Sequence, residues 1–216
     1  MKLKRSFILD PALRLYLPLW QLDGASFQSK DAYGHLCTVT GATKTLQGFS
    51  FDGVDDYINA GSPAAIPFNS SSFTVFCWIF SSSATRQGLV SRYAGTSENW
   101  FLELTASGYG RFVIFNTLGS LYAEALGAVN LADSGWHQVC GVWNLDVSAE
   151  LFVDGLSVAT DTTFAGTRNT ELPDLHIGKH ADGLTTGSIG EVFIWGRVLN
   201  PMEVQRIYQA TKWRYR

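Results

Sequence analysis

The sequence is short of charge, and what charge it has is not basic. Charged residues make up 16% of the 216, and 16 Lys and Arg against 19 Asp and Glu leave a net charge of −3. A protein that reads nucleic acid carries a basic face, so the balance argues against that partner. Cysteine is scarce and odd in number: Cys37, Cys77 and Cys140. Two of them sit inside apolar strand patterns, which points to buried free thiols and away from a disulfide framework or a metal site. Long apolar runs are missing, since none approaches the roughly 18 residues a membrane span requires. The amino terminus, basic at Lys2, Lys4 and Arg5, starts as a secretory leader does. Its apolar stretch is broken by Asp10, Pro11 and Arg14, so no signal peptide is recognised.

Catalytic signatures are absent too. There is no Gly-x-Ser-x-Gly, no phosphate loop and no His-Glu-x-x-His. A glycoside hydrolase of the sandwich type needs two carboxylates about 5 Å apart, which one strand supplies at spacing i, i+2. None of the 19 acidic residues stands two from another, and the adjacent pair Asp55 and Asp56 would point to opposite faces of an extended chain. Carboxylates meeting from different strands are the route left to catalysis, and the expectation is a protein that is not an enzyme. His176 and His180 are four apart, but the strand pattern around Ile177 denies them a shared helical face. No solenoid-type repeat is present.

What the chain does have is alternation. In the stretch 136–155, WHQVCGVWNLDVSAELFVDG, the residues Trp136, Gln138, Cys140 and Val142 fall on one face of a strand and His137, Val139, Gly141 and Trp143 on the other. Both faces are largely apolar, so the strand has to be covered on both sides. Asp154-Gly155 then predicts a tight hairpin turn, because a type I′ turn needs positive φ at both central positions. Leu13 to Trp20 alternates leucines with Arg14, Tyr16, Pro18 and Trp20, and Pro18 places it at a sheet edge or a bulge. Near the end, Asn200-Pro201-Met202-Glu203 is a capping box with Pro at the first helical position, flanked by Leu199 and Val204 as a hydrophobic staple. The length fits one domain. Residues 1–10 read as a basic extension, 11–211 as the domain, and 212–216 as a basic aromatic tail.

The pattern W-H-x-V, a loop, then L-F-V-D-G resembles the laminin-G-like branch of the concanavalin A-like lectin and glucanase superfamily. Phe51-Asp52-Gly53-Val54-Asp55-Asp56-Tyr57-Ile58, Ser72-Phe73-Thr74-Val75-Phe76-Cys77-Trp78-Ile79 and Leu175-His176-Ile177-Gly178 follow in the family's order. The resemblance implies an all-β fold: a two-sheet antiparallel β-sandwich, the concanavalin A-like jelly roll, with one short C-terminal helix. It also implies one structural calcium ion (Ca), held by Asp31, by the carbonyl of Gly53 and by the position of Gly190, where the family usually has Asp. Asp52, Asp55 and Asp56 read equally well as turn formers and as calcium ligands.

Sugar binding needs an aromatic plate and fixed polar partners. The polar stretch 92–99 reads as a loop, and loops carry binding residues. The candidate set is therefore Arg92, Tyr93, Asn99 and Trp100, with His180 and Asp182, and with Tyr109 and Tyr122 nearby. Two classes of function remain. One is a non-catalytic module that binds a glycan or cell-surface polysaccharide, working outside the cell or on a virion surface. The other is a structural component of an assembly, such as a virion decoration or tail protein, docked to other virion or assembly proteins through its termini.

Overall fold

The computed structural model describes residues 6–62, 65–66, 71–94, 97–169, 171–180 and 183–216, without the side chains of residues 6, 93, 94, 97 and 98. Two antiparallel sheets stack face to face. The first runs in the order Leu156–Asp161, Ser148–Val153, Trp136–Asn144, Phe73–Phe80, Thr186–Trp195, Phe49–Asp52, Thr43–Lys44. Leu13–Pro18 joins it along the second half of Thr186–Trp195. The second sheet runs Leu121–Asn130, Tyr109–Phe115, Ser97–Leu104, Gln87–Ala94, Leu175–Ile177, Tyr57–Asn59, Leu36–Thr40, Ser26–Gln28.

Apolar alternation builds two cores. Val139 and Trp143 face the space between the sheets, with Phe73, Trp100, Phe112 and Leu151. Cys140 and Val142 face the other way, with Trp78, Phe193, Trp195, Val204 and Ile207. The strand expected to be covered on both sides is so covered. Gly141 has no side chain for a reason: a Cβ there would lie 2.5 Å from the Phe112 ring of the opposite sheet. Asp154 and Gly155 have φ of 50° and 81°, as a type I′ turn requires. Leu13–Pro18 sits at an edge, as Pro18 demands, and a register shift between Leu13 and Leu15 turns Leu13 into the outer core while Leu15 and Leu17 stay between the sheets.

The helix Pro201–Thr211 carries the complete capping box, with Asn200 Oδ1 accepting from Glu203 N and Glu203 accepting from Asn200 N. Val204 and Ile207 bury against the first sheet. The chain beyond it is no dangling tail. Tyr215 stacks on Trp78 at 4.4 Å, its hydroxyl accepts from Glu191 N at 2.7 Å, and Arg214 pairs with the buried Glu191 at 2.5 Å. Tyr215 and Arg214 pack on the first sheet because an apolar ring and a paired guanidinium are more stable inside than out. The three cysteines are free and buried, and burial pushes the Cys37 thiol up to about 12.

Candidate functional site

The connection expected at 92–99 is a hairpin of two long strands, with Arg92 opposite Trp100 and Tyr93 opposite Glu98. Arg92, Asn99 and Trp100 are fully buried and His180 is 1% exposed. Trp100 packs on Phe73 at 5.0 Å between the sheets, so it offers no face to a sugar. The side chain of Tyr93 and the whole of Asp182 lie outside the described residues. Polar residues among apolar ones imitate a loop in sequence, yet a strand accommodates them where each finds a buried partner.

Those partners lead to a different site. Arg92 Nη1 donates to Pro173 O at 2.9 Å, and Asn99 Nδ2 donates to Asn169 O at 3.1 Å and Glu171 O at 2.8 Å. Asn116 Nδ2 donates to Ala165 O at 3.1 Å. Three buried side chains therefore hold four carbonyls of the connection 162–174. Its backbone is tied to the sheet as well, with Thr117 N donating to Thr167 O and Asn169 N to Phe115 O. Loss of solvent from Arg92 pulls its guanidinium down to about 9, with Asp174 pushing the other way.

The strapped connection lays the half-buried Phe164 flat on Tyr122, rings 5.3 Å apart and 14° from parallel. Buried Trp143 supports both edge-on. The Tyr122 hydroxyl donates to Asp146 Oδ1 at 2.9 Å, and Asp146, in a turn at φ 53°, pairs with Arg168 Nε at 3.0 Å. Burial first, and then the hydrogen bond to a carboxylate, raises the Tyr122 hydroxyl pKa. Asp161 Oδ2 accepts from Glu124 N, and its Oδ1 accepts from Thr163 N and Oγ1. Burial raises the Asp161 carboxyl, and these bonds outweigh it and hold the group below its ordinary value. Tyr122, Glu124, Asp161 and Phe164 line an open cleft of about 260 Å³ at the sandwich rim. Tyr122 was within reach of the sequence. Phe164, alone among Thr, Ala and Gly, is the lone aromatic in a turn-forming stretch that would have pointed here.

Carboxylates from different strands do meet. Arg111 stands between Glu103 and Glu124, bonded to both, and Arg86 Nε reaches Glu103 at 2.7 Å. Glu103 is fully buried, and burial raises its carboxyl against the pull of the two arginines. His180 covers it at 3.6 Å and burial pushes that imidazole down to about 3, so the contact is not an ion pair at neutral pH. A carboxyl sealed this way has no access to a glycosidic bond.

The calcium expectation meets a poor fit. Asp31 Oδ2 accepts from Tyr16 N, and its Oδ1 accepts from Tyr33 N and Gly34 N. Tyr16 lies opposite Phe193, whereas Gly53 abuts Thr186 at the far end of the same strand. Seven residues along a strand are roughly 20 Å, so the two do not share an ion. At Gly190 a Cβ would lie 2.5 Å from the Tyr215 hydroxyl. Among the described residues, Asp52, Asp55 and Asp56 bring three carboxylates within 4.8 Å of one another. Two of their oxygens accept turn N–H groups, Asp52 Oδ1 from Val54 and Asp56 Oδ2 from Asp52.

The sequence pattern of the concanavalin A-like lectin/glucanases superfamily matches residues 52–205, well over half of the chain. The chain belongs to that superfamily. No curated protein matches it in sequence. Among solved structures the fold is similar to the binding domain of Paraclostridial Mosquitocidal Protein 1, at 12% identity and a TM-score of 0.73, over 91% of this chain and 52% of that one. It is similar also to the binding domain of botulinum neurotoxin serotype G, at 14% identity and 0.72, over 91% and 50%. A third is the binding domain of botulinum neurotoxin DC in complex with SialylT, at 12% and 0.68, over 94% and 52%. The chain spans about half the length of these structures. None of the described helices is long and apolar enough to cross a membrane.

Proposed function

We propose that this superfamily member is a non-catalytic glycan-binding module working outside the cell. The apolar face of a sugar ring rests on Phe164, and its hydroxyls reach the carboxylates beside it. The observation that carries this is the half-buried Phe164–Tyr122 stack in a cleft lined by Glu124 and Asp161. Support comes from the similar solved domains, which are binding domains, one of them holding SialylT. The sealed Glu103 supports the non-catalytic half of the reading. In a glycan-array screen the protein binds a defined set, and Phe164→Ala weakens that binding at least roughly tenfold, the scale of one lost stacking contact. An array that stays silent for the intact protein removes the reading.

A second reading, a building block of a larger assembly such as a virion, draws support from the bare strand edges. Leu126 and Val129 on Leu121–Asn130, and Leu156 and Val158 on Leu156–Asp161, are 42–62% exposed. Contacts through these edges, and not through the packed C terminus, would then make specific oligomers that sedimentation resolves.

A further inference from the structure

We infer that the protein carries a second sugar site, for an uncharged sugar, on the outer face of the first sheet at Trp136. It shares with the glycan reading above only the class of ligand, since its residues are different and lie elsewhere. Alternation sets the face. Trp136 packs on the outer core, while Ile79 and Ile189 belong to the inner one and turn their neighbours Phe80 and Ser188 outward. Trp136 lies opposite Phe80 and Phe80 opposite Ser188, so the three form one row across adjacent strands. All three are half-buried. The turn that joins Thr43–Lys44 to Phe49–Asp52 stands beside them, with Leu46 95% exposed. Thr45, Leu46, Gln47, Phe80, Trp136 and Ser188 line a cleft of about 410 Å³.

The floor of this cleft is fixed. Trp136 Nε1 donates to Gln47 Oε1 at 3.1 Å, and Gln47 Nε2 donates in turn to Arg214 O at 3.0 Å. The indole lies 4.7 Å from the Tyr215 ring on one side and 5.8 Å from the Phe80 ring on another. Rings already held in place need little ordering when a ligand arrives, and the C–H face of a sugar packs on them. The rim offers polar groups without charge. Ser188 Oγ has no partner among the described residues, and Gln47 Nε2 has a second hydrogen beyond the one given to Arg214. No charged side chain lines the cleft, so nothing there offsets the desolvation of a ligand carboxylate or ammonium. A protein partner would need several projecting anchors, and of the six lining residues Leu46 alone is a large apolar side chain that stands free.

Trp136 and Trp143, which supports the Phe164 stack, are seven residues apart on one strand, roughly 20 Å, so variants at the two clefts should act independently. The test titrates the full chain with neutral hexasaccharides of glucose, of galactose and of mannose. At least one is expected to bind in a way that Trp136→Ala weakens at least roughly tenfold and Phe164→Ala leaves unchanged. Ser188→Ala should weaken the same binding roughly two- to tenfold, the scale of one hydrogen bond, with the Tm unmoved. Should Trp136→Ala fail to fold, Ser188→Ala and Phe80→Leu carry the decision. Binding that Phe164→Ala abolishes and these variants do not touch overturns the second site and leaves the first standing. Binding lost with Trp136 and Ser188 but not with Phe164 establishes the second site whatever becomes of the first. A galacturonic acid hexasaccharide bound at Trp136 as tightly as a neutral one overturns the charge class. Silence toward the whole panel overturns the site, and dimers that Leu46→Asp dissociates would then assign the cleft to a second copy of the chain.

Discussion

The first sheet is closed on its outer face by rings: Trp78 lies between Tyr208 and Tyr215, its indole N–H donating to Thr211 Oγ1 at 3.0 Å, and Phe193 stacks on Tyr16 and Trp195. On the second sheet, Phe101 is covered by Arg86, Arg111 and His180, and the edge is held by side chains that grip loop carbonyls. Apolar closure buries its rings under the helix and the C-terminal tail. Polar closure leaves the half-buried Phe164 on Tyr122 at its margin, and it is there that the smaller cleft forms.

The largest effect should come from opening the apolar side. Deleting residues 212–216 removes buried Tyr215 and strands Glu191, whose oxygen otherwise meets Arg214, Tyr16 and Trp20. Breaking a buried pair costs about 3–5 kcal/mol, and a lost core aromatic about as much again. Thermal denaturation should show the truncated chain unfolded or nearly so at 25 °C. A Tm within a few degrees of the intact protein would mean the tail is decoration.

Trp100→Ala comes next, at about 3–5 kcal/mol for a large buried ring. The indole nitrogen of Trp100 has no acceptor among the described residues, so Trp100→Phe should cost far less. If Trp100 instead touched ligand, both variants would lose glycan binding while keeping their Tm.

Asn99→Ala tests the polar closure at a distance. It frees the carbonyls of Asn169 and Glu171, the first of them buried, and should cost about 1–3 kcal/mol. Its distinguishing sign is a several-fold weaker glycan affinity in a chain that is still folded, because Phe164 is no longer held in place. Unchanged affinity would detach the loop from the site.

How much of this was open to reading from the chain depends on how local the cause is. The Asp154-Gly155 turn, the Asn200 capping box and the edge placement of Pro18 each follow from a few adjacent residues. The stretch 92–99 was taken for a loop because Arg92 and Asn99 owe their place in strands to partners far away, at Pro173 and at Asn169 and Glu171. The packing of the C-terminal tail has the same kind of cause, since Arg214, one of its three basic residues, finds Glu191 on another strand. Phe164 and Tyr122 are 42 positions apart and become a platform only once the sandwich brings their segments to one rim.

The smallest effect lies where the two closures meet, at the hairpin edge. His137 Nδ1 faces Asp154 at 2.9 Å and its Nε2 faces Asp133 at 3.1 Å. The hydrogen bond to Asp154 is the main cause that lifts its pKa above the ordinary value, partial burial opposing and Asp133 adding. Only the imidazolium has two N–H groups, so both contacts are made at once in the charged form. A raised folded pKa means that the contribution is fully present below the unfolded value of about 6.5 and is lost as pH climbs through the folded one. The intact protein should therefore lose a little stability from mildly acidic to mildly alkaline pH. The loss should stay within the roughly 1 kcal/mol of a half-exposed pair, and His137→Gln should flatten the profile. A slope that survives the substitution would assign the titration to another group.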